Sequence, residues 1–258
     1  MNKHEPRKRF GQNFLTSPSI IMDIIKLINP KKNENLLEIG PGLGALTTPL
    51  LEITDHLTVI EIDRDLVKQL QKKWTPDRLT IISNDVLKVD FSIFGMNLRI
   101  VGNLPYNIST PLLFHLLSFT RYIQDLHFML QKEVVERMIA RPGTKDYGRL
   151  SVMLQYRFDI EMLLSIPANA FNPKPKVESA IVRMRPRCIQ PSAIDESHLS
   201  NLVKIAFSHR RKTLKNNLQG MVDQSIFSLA QIDSGLRAEN LSVIDYVRLA
   251  NLTRPHVI

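Results

Sequence analysis

Between residues 35 and 140 the chain alternates short apolar runs with helical stretches, and this alternation restricts the fold more than any other feature. The apolar runs are 35–39, 57–62, 79–83, 98–101 and 126–130. Helical spacing is read over 45–52, 63–73, 111–117 and 132–140. An earlier amphipathic helix is expected over 17–28, with Ser17 as N-cap, Pro18 at the first helical position and Ile21, Ile24, Ile25 and Ile28 on one face. Buried strands alternating with helices predict a parallel sheet covered on both faces. Such sheets bind ligands at the carboxyl ends of their strands. The turn at Gly40, and with it Glu61, Asp85 and Asn103, then falls on one rim.

After Phe158 the pattern changes. Residues 160–166 and 177–184 read as two strands flanking the loop Phe171-Asn-Pro-Lys-Pro-Lys176, which suggests an antiparallel hairpin at the sheet edge. Residues 185–192 read as a linker, and from Ile194 onward no strand-like alternation remains. The predicted organisation is a catalytic domain over 1–184 and a helical domain over 185–258. The 258 residues, 43% hydrophobic, suffice for a large core, and no apolar run reaches membrane-spanning length. The basic N-terminus has no apolar segment of the secretory kind. The one cysteine, Cys188, cannot form an internal disulfide and argues for a reducing cytoplasm and against zinc. A net charge of +9 favours a polyanionic partner.

The glycine turn Glu38-Ile-Gly-Pro-Gly-Leu-Gly44 lets a ligand approach the backbone closely. Two cofactors compete for it. Gly40, Gly42 and Ala45 also satisfy the relaxed dinucleotide pattern G-x-G-x-x-G/A, and Glu61 suits a ribose diol in either case. Glu38, two residues before the first glycine, and Asp85, placed to accept from an adenine amine, favour S-adenosylmethionine. Asn103-Leu104-Pro105-Tyr106 then follows a strand. The Asn103 side-chain oxygen and the Leu104 carbonyl can grip the two N–H groups of an exocyclic amine, freeing its lone pair. Pro105 stiffens the loop, and the Tyr106 ring can stack on a base. Phe171 offers a second aromatic face for an extruded base. The run Phe207-Ser-His-Arg-Arg-Lys-Thr-Leu-Lys215 is the densest basic stretch; read as a helix, it sets Lys204, Ser208, Arg211 and Lys215 on one face. Lys3, Arg7, Lys8 and Arg9 form a second basic cluster. The histidines show no metal-ligand spacing.

Taken together, the motifs resemble the ribosomal RNA adenine N6-dimethyltransferases, of the KsgA/RsmA type that acts on small-subunit RNA. The resemblance runs through Arg9-Phe-Gly-Gln-Asn-Phe-Leu15, Glu38–Gly44, Glu61-Ile-Asp63, Asn84-Asp-Val86, Asn103–Tyr106, Tyr147-Gly-Arg-Leu-Ser151, Phe171–Val177 and Phe207–Leu214, in the family's order. It implies an α/β, Rossmann-like class I S-adenosylmethionine-dependent methyltransferase sheet with a small C-terminal all-helical domain. It implies Asn13, Leu15, Gly40, Glu61, Asp85 and Asn103 as cofactor-binding residues, and Asn103, Leu104, Pro105, Tyr106 and Phe171 as the catalytic set. Arg210, Arg211, Lys212 and Lys215 would contact RNA. The implied substrate is a pair of adjacent adenines in the 3′-terminal hairpin of 16S rRNA, met in the immature small (30S) subunit by a monomer without metal or membrane, with a role in subunit biogenesis.

Three other readings compete. The sister group that methylates large-subunit RNA and confers macrolide resistance shares the core, but usually has isoleucine where Leu104 stands. A protein-glutamine methyltransferase would carry Asn-Pro-Pro-Tyr and need no basic helical domain. A non-enzymatic assembly factor on the same fold would not need Asn103.

Overall fold

The computed structural model describes residues 11–253, so the basic cluster at Lys3, Arg7, Lys8 and Arg9 lies outside the described residues. The chain divides into two compact units, one of residues 11–135 and 160–186, the other of 136–159 and 187–253.

In the first unit, β1 (Phe14–Leu15) precedes α1 (Pro18–Ile28). Pro18 opens that helix, and Asn29, with a φ of +48° and its amide on the Ile25 carbonyl, ends it. Then follow β2 (Leu36–Ile39), α2 (Thr47–Ile53), β3 (Leu57–Glu61), α3 (Arg64–Lys73), β4 (Leu79–Ser83), β5 (Leu98–Asn103), α4 (Ser109–Leu116), β6 (Ile123–Gln131) and α5 (Lys132–Ile139). The helix α3 begins where expected because the Asp63 carboxylate accepts from the Asp65 amide at 3.0 Å. Later come α6 (Arg149–Arg157), β7 (Phe158–Ile166), β8 (Phe171–Asn172) and β9 (Ser179–Pro186).

The main sheet has the order β4-β3-β2-β5-β6-β9-β7. The strands β4, β3, β2, β5 and β6 run parallel, and β9 is antiparallel to β6. The expected edge hairpin is present as β7 beside β9, with β7 outermost. A small second sheet, not anticipated, pairs Leu15 of β1 with Phe171 of β8. From β2 the chain runs outward to β3 and β4, then returns to add β5 on the other side. The sheet's direction of growth reverses between β2 and β5, which is where a ligand crevice forms.

Two contacts set how closely these strands approach. A Cβ at Gly102 would lie 2.5 Å from the Ile39 carbonyl oxygen, so only glycine fits beside β2. At the opposite end of the sheet, buried Arg99 donates to the Asp125 carboxylate at 3.0 Å and to the Ile28 carbonyl at 2.7 Å, and pairs with Glu34. That network ties the end of α1 to β5 and β6.

The second unit contains α6, α7 (Glu196–Ala206), α8 (Leu214–Asn217), α9 (Gln224–Leu229) and α10 (Val243–Thr253). Its helical character agrees with the reading from Ile194 onward. Two expectations are corrected. Residues 136–159 group with the C-terminal segment: Tyr147 meets Phe207 ring to ring at 6.4 Å, and Arg187 Nε donates to the Gln155 carbonyl at 2.9 Å. Residues 207–213 are not helical, so Lys204, Ser208, Arg211 and Lys215 do not share one helix face. The Asn217 side-chain amide donates to the carbonyls of Ala206 and His209 at 2.8 and 3.1 Å, closing the end of α7. Residues 208–212 are exposed and bury no apolar face that would stabilise a helix.

Gly102→Ala should destabilise the protein by about 1–3 kcal/mol, because the new methyl meets backbone rather than a movable side chain. Denaturant unfolding of the two proteins side by side measures it; equal midpoints would mean that β2 and β5 can part without cost.

Candidate active site

Where β2 and β5 end, a cavity of about 350 Å³ opens, within the size range of small-molecule sites. Its walls come from residues 11–15, the glycine turn after β2, the ends of β3 and β4, and the segment 103–108 after β5. The strand-end rule therefore brings together Asn13, Leu15, Gly40, Glu61, Asp85, Asn103, Leu104, Pro105 and Tyr106.

The glycine turn is held in shape by its own backbone. Gly40 and Gly42 take φ of +69° and +58°, and Gly40 N donates to the Ile60 carbonyl at 2.9 Å. The Phe14 ring lies over the turn so closely that a Cβ at Gly42 would sit 3.1 Å from it. Glu61 braces the same turn: its carboxyl accepts from Gly42 N at 3.3 Å and from Asp63 N at 2.9 Å. Burial raises the Glu61 pKa, opposed by the amides of Asp63, Gly42 and Ile62. Glu38 is fully enclosed, and burial raises it further, to about 8, against the hydrogen bond it accepts from Thr47 Oγ1 at 2.7 Å and with the Glu61 charge adding to the rise. Asp85 caps a short 3-10 turn, one oxygen accepting from the Leu87 amide at 3.0 Å, which leaves the other to face an amine.

Asn103 ends β5 beside Met129 of β6. Its Nδ2 donates to the Asn13 main-chain carbonyl at 2.9 Å. One of the two Nδ2 hydrogens is thus used, which sets the orientation of the carboxamide, and Oδ1 remains as an acceptor. The Leu104 amide is spent on the Met129 carbonyl at 3.2 Å, while its own carbonyl has no donor among the described residues. The Pro105 carbonyl is taken by Ile108 N and Ser109 Oγ at 3.2 and 3.0 Å, which locks the turn. Tyr106, half-buried, shares a 2.8 Å hydrogen bond with Ser179 Oγ.

Phe171 departs from the expectation. It is 5% exposed, paired with Leu15 and packed in the cluster that holds Met129, Ala170 and Ile181, and it is not part of the cavity wall. The structure makes it a core plug, because its strand pairing with β1 turns the ring inward. Arg210, Arg211, Lys212 and Lys215 are all exposed, as phosphate contacts must be. Arg210 is nonetheless committed within its unit, to Glu239 at 3.0 Å and to the Lys145 carbonyl.

Several wall residues escaped the sequence reading. Gln12 bridges to Asp63 at 3.2 Å, and Phe14 covers the glycine turn. Ile62 and Leu43 stand 46% and 49% exposed on the cavity wall and offer apolar surface to a flat ring. Ile62 was within reach of the sequence, since it directly follows the acidic end of β3. Ser179, far away in the chain, had no such signal.

The wall chemistry separates the two cofactor readings. Among the described residues the cavity carries three carboxyls, Glu38, Glu61 and Asp85, and no Lys, Arg or His. Such a wall offers a pyrophosphate no cationic side chain, and its ionisable carboxyls suit a cation. The residues therefore fit S-adenosylmethionine, a sulfonium, better than a dinucleotide. Among the described residues no group of His, Cys, Asp and Glu could hold a metal, and no helix is long and apolar enough to cross a membrane.

Comparison with known proteins points the same way. Residues 3–254 match the family described as ribosomal RNA adenine dimethylase. The chain is 56% identical over 252 residues to a ribosomal RNA small subunit methyltransferase A from Aromatoleum aromaticum, covering 97% of this chain and 95% of that one. It is likewise 56% identical over 244 residues to the protein of that name from Thiobacillus denitrificans, with 94% and 96% covered. Among solved structures, a dimethyladenosine transferase from Plasmodium falciparum superposes with a TM-score of 0.74 at 28% identity, over 92% of this chain and 95% of the other. A 23S rRNA methyltransferase, ErmE, gives 0.71 at 24% identity over 93% and 99%, a likeness of fold.

The buried carboxyls give the site a pH signature. Glu38 is held neutral by the fold while in the unfolded chain it ionises near 4.5, so its contribution is complete below that pH and is lost as pH rises toward about 8. Thermal unfolding followed from pH 5 to 8 should show Glu38→Gln flattening the decline by up to about 1.4 kcal/mol per pH unit. A parallel decline in the variant would assign the slope to other groups, Glu61 first.

Proposed function

This chain belongs to the ribosomal RNA adenine dimethylase family, and we propose that it dimethylates the N6 amines of two adjacent adenines in the 3′-terminal hairpin of 16S rRNA. S-adenosylmethionine is the cofactor and supplies the methyl group. The observation that carries the reading is the orientation of Asn103. The Nδ2 bond to Asn13 fixes which way the carboxamide faces, and its oxygen is the end that can accept from an incoming amine.

An adenine N6 amine is a poor nucleophile because its lone pair is delocalised into the ring. Asn103 Oδ1 and the Leu104 carbonyl accept from its two N–H groups, which favours a pyramidal nitrogen and returns the lone pair to it. These bonds strengthen as the nitrogen leaves planarity, so they act on the transition state more than on the bound substrate. Tyr106 stacks on the base, worth about 1–3 kcal/mol. No strong base is required, since the methylated nitrogen becomes acidic and gives its proton to water. Glu61 holds the ribose diol, Asp85 the cofactor's adenine amine, and Asn13, Leu15 and the Gly40 backbone its amino acid end.

The substrate is met inside the immature small subunit, in the cytoplasm, by a single copy of the chain. Arg211, Lys212 and Lys215, exposed and without an ion pair among the described residues, contact the RNA backbone; Arg210 assists while braced by Glu239.

Labelled donor incubated with purified subunits tests the substrate: label is expected on small subunits, and label confined to large ones overturns the proposal. Asn103→Ala should lower turnover by about 100-fold or more while donor affinity falls much less; equal losses in both would reduce Asn103 to a wall residue. Arg211→Ala with Lys215→Ala should weaken subunit binding and lower the salt dependence by roughly 0.7–0.9 in slope for each phosphate that is no longer neutralised. An unaltered slope would move the docking surface elsewhere.

A further inference from the structure

The aromatic side of the cavity depends on a residue that is not in its wall. We propose that Ser179 is a positioning residue for methyl transfer, holding the Tyr106 ring at the angle at which it receives the adenine. The inference rests on the reading of Tyr106 as the stacking surface.

The two hydroxyl oxygens lie 2.8 Å apart. Ser179 is fully buried and starts β9, paired with Gln131 of β6. The Lys132 amide on the Glu178 carbonyl, at 3.0 Å, fastens the residue before it. Its hydroxyl is therefore as fixed as the sheet, and among the described residues it hydrogen-bonds to no side chain other than Tyr106. Tyr106 itself sits in a turn between β5 and α4, with no strand or helix around it. The bonds to the Pro105 carbonyl fix the backbone of that turn but leave the side-chain torsions of Tyr106 free. A ring that swings must be immobilised each time a base docks, and that ordering subtracts from binding. The Ser179 tether removes the freedom beforehand. It acts at the far end of the ring, on the hydroxyl, so both faces stay clear of it. Burial raises the Tyr106 pKa, so the phenol stays protonated through neutral pH and the hydrogen bond persists.

The test is a double-mutant cycle on the full-length enzyme, with small ribosomal subunits as substrate. Ser179→Ala and Tyr106→Phe break the same bond from its two ends. Each should lower kcat/KM for the subunit by up to about tenfold, the cost of immobilising the freed ring when the base docks, with donor Kd nearly unaltered. The double variant should be no worse than either single. Losses that multiply in the double variant overturn the proposal, as does a Ser179→Ala enzyme with full kcat/KM. Tyr106→Ala separates the tether from its premise. If removing the ring is harmless, the stacking reading fails; if it is harmful while Tyr106→Phe is not, the stacking stands and the tether falls. Tyr106→Phe opens no space in the sheet, so it decides the question even if Ser179→Ala does not fold.

Discussion

A carboxamide can turn either end toward a ligand, and in this protein one hydrogen bond decides which. The Asn13 carbonyl takes the Asn103 Nδ2, so the oxygen is what the cavity presents. An amide flipped the other way would offer donors to an amine that is itself a donor, leaving only the Leu104 carbonyl to accept from it. The parts of the first unit serve this contact. Gly102 lets β5 run close against Ile39 and brings Asn103 to the crevice. The pairing of β1 with β8, together with the Thr16 amide and hydroxyl on the Ala170 carbonyl, holds residues 13–16 at the distance that Asn103 needs. Phe171 and Leu15 fill the space behind. A core plug on a two-residue strand pair thereby contributes to chemistry it does not touch.

How much of this could be read in the sequence depends on how local the cause is. Helix α1 and helix α3 begin within a residue of expectation, because Pro18 and Asp63 set their starts through their own backbone and side-chain geometry. Glu38, Gly40, Glu61, Asp85 and Asn103 were found together because a parallel sheet delivers its strand ends to one rim. The strand β5 runs past the apolar run 98–101, because Gly102 permits a close approach to β2 and the pairing with β6 continues through Asn103.

The contacts that failed to appear in the sequence are long-range. Gln12 with Asp63, Phe14 over Gly42 and Tyr106 with Ser179 join segments that no periodicity relates. The basic run failed in the opposite way. Spacings of three and four put Ser208, Arg211 and Lys215 on a stripe, but periodicity predicts a helix only where a face is buried to reward it. Residues 208–212 bury none, and Asn217 closes α7 before them. Their charges are presented from a loop, which constrains their number but not their alignment along an RNA backbone.

The distribution of charge completes the argument. The chain carries a formal charge of +9, yet the described wall of its cavity bears carboxyls and no cationic side chain. The two signs serve different ligands. Positive side chains such as Arg211 and Lys215 attract phosphate from a distance, while the cavity answers it with Glu61 and Asp85 and no cationic side chain among the described residues. A polyanion can therefore settle on the protein without its backbone entering the cavity, and what passes inward is an uncharged base or a cation. The same carboxyls favour a sulfonium over the uncharged thioether left once its methyl is gone, so the wall that helps to bind the donor does not hold the spent form equally well. Burial raises Glu38 and Glu61 toward neutrality. A bound cation reverses that shift, which makes donor affinity rise with pH across the range in which Glu38 ionises.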